Sequence, residues 1–229
     1  MFGQVQETQY DLRFSLLRIP VRVHPTFWFV GLLIGSNFLN AGIEYLLGWI
    51  LVFFVSILVH EMGHALVARY FGYPVQIILY GLGGLASYLP AGRYNRGQSL
   101  AITFAGPGAG FLLAGLTFIG GLFLIPLADG LPGTISAVLK ALWTTTVIVN
   151  VFWSGVNLLP VLPLDGGSIC RDVLTYVSPH RGQLWTHWTG VVVGVIAGAI
   201  FFQIRAPFAG VMFLLLAVRN FMILQGNRF

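Results

Sequence analysis

Residues 45–71 read YLLGWILVFFVSILVHEMGHALVARYF, apolar almost throughout yet carrying His60, Glu61 and His64 in their second half. A helix crossing a bilayer needs about 20 consecutive apolar residues, and this run is longer than that. An ionisable side chain inside such a run is costly and marks a functional position. The stretch therefore predicts a transmembrane helix with a site built into it.

The rest of the chain supports that reading. Of 229 residues, 57% are hydrophobic and 8% charged, with 12 Lys+Arg against 7 Asp+Glu. A soluble domain carries about 25% charged residues. The composition excludes a water-soluble fold, a disordered chain and a coiled coil, and Cys170, the single cysteine, excludes an internal disulfide. A net charge of +5 does not indicate a nucleic-acid partner, because the basic residues are scattered singly.

Apolar runs at 24–40, 44–71, 98–127, 141–164, 185–203 and 207–224 predict an all-α polytopic membrane protein. It has about six transmembrane helices in one domain over residues 1–229. With six crossings and both termini cytosolic, Arg13, Arg18, Arg22, Arg69, Arg93, Arg96, Arg171, Arg181, Arg219 and Arg228 fall on the cytosolic side. Only Lys140 and Arg205 fall opposite, as the positive-inside rule requires. The first 25 residues lack an apolar core and read as a cytosolic lead-in rather than a signal peptide. Residues 73–90, YPVQIILYGLGGLASYLP, are apolar but β-favouring, with Gly81, Gly83 and Gly84 at a turn. They predict a re-entrant β-hairpin or loop between helices 2 and 3, which protein or a water-filled cavity must shield; an interfacial loop is the alternative.

Within the second run, His60-Glu61-Met62-Gly63-His64 is an HExxH motif. On a helix the two histidines lie one turn apart on one face, so both imidazoles reach one ion. Glu61 sits about 100° round from His60, within reach of a water on that ion. This is the arrangement of a zinc site with a carboxylate base. A third ligand is needed. Asp165 ends the fourth run in Asn157-Leu-Leu-Pro-Val-Leu-Pro-Leu-Asp165-Gly-Gly, where Pro160 and Pro163 break the helix and the glycines permit a tight turn. Its carboxylate, with that of Glu61, brings a divalent cation close to neutrality. His180 and His187 are the alternatives, the first in a polar loop and the second among interfacial tryptophans. His24, before Pro25, reads as interfacial.

HEMGH in a span, the Gly-rich stretch after it, Phe104-Ala-Gly106-Pro107 in the third span and NLLPVLPLDGG in a later one together resemble the site-2 protease family of intramembrane zinc metalloproteases. The likeness runs from about residue 18 to at least Arg171. It implies one zinc held by His60, His64 and Asp165, with Glu61 as the base and Asn157 helping to hold the substrate backbone. It also implies cleavage of transmembrane protein substrates in the bilayer, in regulated intramembrane proteolysis, in the cell membrane of a prokaryote. The sequence departs from the family where Leu162 stands for a frequent proline and Gly110 for an asparagine. Family members often carry a PDZ or CBS domain; these residues hold neither, which implies a minimal form regulated by a membrane protein in trans. Two rival readings use the same His/Asp cluster: an ion or metal transporter, and an inactive membrane scaffold. Against the first, the sequence has no paired repeat of broken helices; against the second, no ligand or base is missing.

Overall fold

The computed structural model describes residues 6–81, 83–88 and 95–226. Leu82, Pro90, Arg93 and Arg228, used above for the hairpin and the charge asymmetry, lie outside the described residues. The chain divides into two units, one of Met1–Tyr94 and Ala105–Ser154, the other of Asn95–Phe104 and Gly155–Phe229.

The first unit is organised by a sheet. Strands β1 (Leu12–Leu16) and β2 (Ile19–Val23) form an antiparallel hairpin. Its connecting residues, Leu17 and Arg18, have φ of 49° and 61°, the left-handed pair that matches hairpin twist. The Arg69 guanidinium donates to the Leu17 carbonyl and ties this turn down. Strand β3 (Val75–Tyr80) pairs parallel to β2, with Val21 opposite Ile77, and antiparallel to β4 (Gly83–Tyr88), with Ile77 opposite Ala86. The order β1-β2-β3-β4 leaves β4 at an edge. The chain is therefore not all-α: part of the expected lead-in is sheet, while a hairpin does form within 73–90, with Gly83 and Gly84 in β4 rather than at its turn.

Side chains alternate along β2, so Ile19, Val21 and Val23 all face inward. They meet Ile77 and Leu79 of β3, Phe27 of helix α1 (Pro25–Gly35), and Phe53, Ile57, Leu58, Met62 and Ala65 of α2 (Ile43–Tyr70) in one core. His24 caps α1, its Nδ1 accepting from Thr26 N at 3.2 Å, and Pro25 supplies the preset first turn. The cap role explains a histidine that the sequence alone placed only at an interface. At 11 residues α1 is about 16 Å long, short of a bilayer's core of about 30 Å; a 3-10 turn, Ser36–Asn40, follows it.

Among the described residues, five helices are long and apolar enough to cross a membrane: α2, α3 (Arg96–Ala128), α4 (Gly133–Asn157), α6 (Gly182–Gln203) and α7 (Pro207–Gly226). The apolar windows of α3 and α4 are only 17% and 11% buried. Leu112, Leu116 and Phe123 point outward, a surface suited to lipid. Helix α4 starts at Gly133, ahead of the expected 141, and stops at Asn157 rather than 164. Pro160 and Pro163 account for the early stop, since each removes a helical donor.

The second unit packs α6 on α7 around Val161, Ala197, Phe201 and Phe213, with α5 (Asp165–Val177) beside α6. Helix α5 is a short amphipathic helix that the sequence reading did not anticipate. Its buried Asp172 accepts from Ser99 Oγ at 2.6 Å and from Arg171 at 3.3 Å, so this buried carboxylate is paired.

Phe27 is fully buried and stacks on Phe53 with ring centroids 4.9 Å apart. Phe27→Ala is expected to destabilise the first unit by about 3–5 kcal/mol, read as a lowered midpoint of thermal unfolding in detergent micelles.

Candidate metal centre

Helix α2 places the HExxH residues as its periodicity requires, and all three are buried: His60 2%, Glu61 5% and His64 8% exposed. The Nε2 atoms of His60 and His64 stand 3.2 Å apart. Two nitrogens each 2.0–2.1 Å from a tetrahedral zinc are separated by about 3.3–3.4 Å, so the pair fits a shared ion.

The space around these side chains comes from glycines. A Cβ on Gly106 of α3 would lie 2.1 Å from His64 Nε2. A Cβ on Gly63 would lie 2.2 Å from the Ala105 carbonyl oxygen, so α2 and α3 meet backbone to backbone beside the histidines. Gly84 of β4 lies against Glu61, whose carboxylate would be 2.4–2.5 Å from an added Cβ. The Ala86 amide of the same strand donates to Glu61 Oε2 at 2.7 Å, which fixes the carboxylate's orientation. The contribution of β4 was not legible in the sequence, where the glycines signalled only a turn. At Gly110 a Cβ would meet Ser154 Oγ at 2.1 Å. A side chain at Gly110 would require the Ser154 hydroxyl to turn away.

Asp165 is the first residue of α5, entered from the loop at 158–164. A Cβ on Gly166 would lie 2.0 Å from the Leu158 carbonyl oxygen, and one on Gly167 would lie 2.4 Å from Leu162 N. The two glycines thus let the loop fold back onto the helix start. His60 and His64 each offer a ligand atom to one ion; Asp165, the third ligand expected from the sequence, belongs to the other unit. Asn157 is the last residue of α4 and half-buried. His180 is exposed. His187 is half-buried, and its Nδ1 lies 2.9 Å from Asn220 Oδ1 on α7.

Gly106→Val is expected to push the His64 ring aside and to weaken metal binding about 10- to 100-fold, the range for disturbing the residues that orient a ligand. Competition with a fluorescent chelator measures this.

The model of Peptidase family M50 matches residues 48–201. A zinc metalloprotease of Methanocaldococcus jannaschii is 32% identical over 169 residues, 72% of this chain and 46% of its own. A relative in Synechocystis sp. is 34% identical over 202 residues, 81% of this chain and 50% of its own. The chain thus spans about half the length of these curated relatives. In three dimensions it matches a solved site-2 protease from Methanocaldococcus jannaschii with a TM-score of 0.62 and 24% identity, over 94% of this chain and 95% of that one, so the fold is shared. The matched segment contains the paired histidines, Glu61 and the Asp165 turn, and with them the chain belongs to Peptidase family M50.

Proposed function

We propose that the chain is an intramembrane zinc metalloprotease, one protease domain that hydrolyses peptide bonds within or near transmembrane segments of other membrane proteins. The observation that carries this reading is the pair of Nε2 atoms 3.2 Å apart with Glu61 beside them, its carboxylate held by the Ala86 amide. Three acid–base groups buried on one helix are costly without chemistry to use them. Family membership and the zinc metalloprotease name of the archaeal relative support zinc as the ion.

In this reading His60, His64 and Asp165 hold the zinc. When bound, zinc polarises the scissile carbonyl and acidifies water. Glu61 accepts the proton of the attacking water on its carboxylate and delivers it to the leaving nitrogen. The amide bond from Ala86 keeps that carboxylate in one orientation during both transfers. Asn157, the last residue of α4, holds the substrate backbone. A helical substrate hides its carbonyls in its own hydrogen bonds, so it must unwind. The edge strand β4 offers the unwound chain a β-augmentation surface beside Glu61. Substrates with helix-breaking residues are the ones this favours.

For topology we propose six crossings. The sixth is α1 with its 3-10 extension, about 26 Å from Pro25 to Asn40. The hairpin of β3 and β4 re-enters the membrane, and both termini are cytosolic. Two observations support this orientation. Arg69, at the end of α2, binds the turn of the β1–β2 hairpin, and Lys140 pairs with Asp129 where α3 connects to α4. Regulated intramembrane proteolysis in a prokaryotic cell membrane, with the surrounding bilayer and a membrane protein in trans as partners, completes the reading.

Glu61→Gln is expected to keep zinc at wild-type stoichiometry and to lower cleavage of a model transmembrane substrate by about 10²–10⁴-fold. Elemental analysis and a gel-based cleavage assay in proteoliposomes check the two halves, with chelator-treated wild type as control. Cleavage by Glu61→Gln at the wild-type rate overturns the base assignment. Cleavage that survives complete metal removal overturns the metalloprotease reading.

A further inference from the structure

The loop at 158–164 leads into Asp165 and lacks regular structure; the amides of Leu158, Leu159, Val161 and Leu164 are bonded to carbonyls nearby in the chain. Its internal backbone bonds include Val161 N to Leu159 O at 2.7 Å and Leu164 N to Val161 O at 2.8 Å. The Val161 side chain is fully buried among Ala197, Phe201 and Phe213, which holds the loop at one point. Its second tether comes from α7. Asn220, 1% exposed, donates from Nδ2 to the Leu162 carbonyl at 2.9 Å and to the Leu216 carbonyl at 2.9 Å. Two carbonyls can only be met by the amide nitrogen, so the amide orientation is determined and Oδ1 is left as the acceptor. His187 of α6 supplies the proton to it, Nδ1 to Oδ1 at 2.9 Å. Gly190, one turn on from His187, leaves the amide its room: a Cβ there would lie 2.9 Å from Asn220 Cγ.

The chain of contacts continues to the proposed ligand. Leu162 N lies where a Cβ on Gly167 would come within 2.4 Å, so the tethered residue rests on the first turn of α5, two residues from Asp165. A shift of Leu162 is transmitted to the start of that helix through packed backbone, with no flexible side chain between to absorb it. A buried backbone carbonyl in an irregular loop also needs a partner wherever water is scarce, and Asn220 is that partner.

We infer that Asn220 is a positioning residue for the reaction, fixing the Asp165 loop through the Leu162 carbonyl, and that His187 orients the Asn220 amide. This rests on the reading of Asp165 as a zinc ligand. The tether stands one layer further from the ion than the groups that contact ligands directly.

The test uses the purified chain in detergent. Zinc affinity is measured by chelator competition for wild type, Asp165→Asn, Asn220→Leu, His187→Gln and His187→Leu, with cleavage of a transmembrane substrate followed in parallel. Asn220→Leu keeps the branching of the side chain and removes both donors; it is expected to weaken zinc binding about 10- to 100-fold and to lower kcat more than it raises KM. His187→Gln retains a donor and is expected to stay within twofold of wild type, whereas His187→Leu falls between wild type and Asn220→Leu. Asn220→Leu binding zinc as tightly as wild type, beside an Asp165→Asn that has lost it, overturns this inference alone. Asp165→Asn binding zinc as tightly as wild type overturns the ligand reading beneath it. Should Asn220→Leu not be recovered folded, the His187 pair decides, and equal zinc affinities for Gln and Leu overturn the inference.

Discussion

Everything in this molecule answers to the burial of three ionisable side chains within one apolar helix. Taking His60, Glu61 and His64 out of water carries a penalty that packing alone does not offset. The penalty is met by neighbours arranged around them: a second helix approaching backbone to backbone at Gly63, and a strand laying an amide on Glu61. Neither neighbour could come so close with an ordinary side chain in the way. Absent atoms at Gly84 and Gly106 are thus as much a part of the centre as the imidazoles.

The same economy of space governs the second unit. Gly166 and Gly167 let a proline-broken loop lie flat on the first turn of α5, and Gly190 makes room for the Asn220 amide. A helix-breaking pair of prolines would leave a slack connection. Val161 in the core and the Leu162 carbonyl on Asn220 turn it into a fixed one.

How much of this was legible in the sequence follows from how local each signal is. HExxH was legible because helical periodicity is a property of five consecutive residues, and the long spans because hydropathy is summed over twenty. The stop of α4 was misplaced because residues 158–164 are as apolar as the helix before them, and only Pro160 and Pro163 signal the break. The β1–β2 hairpin was not foreseen: LRFSL and IPVRV mix charged and apolar residues, and β2 acquires its identity by pairing with a strand beyond α2. Helix α5 was hidden by the two glycines at its start. His187 looked like an interfacial histidine because its partner, Asn220, lies 33 residues away on another helix. The direction of a hydrogen bond between distant elements leaves no mark in a single sequence.

The parallel pairing of β2 with β3 has a consequence for how the centre comes into being. The two strands flank α1 and α2, so the pairing closes a loop containing the entire HExxH helix. Such long-range closure is slow and comes after local helix formation. The strand that orients Glu61 is joined to its own partner, β3, by a local turn, while β2 reaches β3 only across the whole of α1 and α2. The carboxylate of Glu61 is thereby held from both sides of its own helix in the chain: by the strand that follows α2 directly, and through it by the strand that precedes α1.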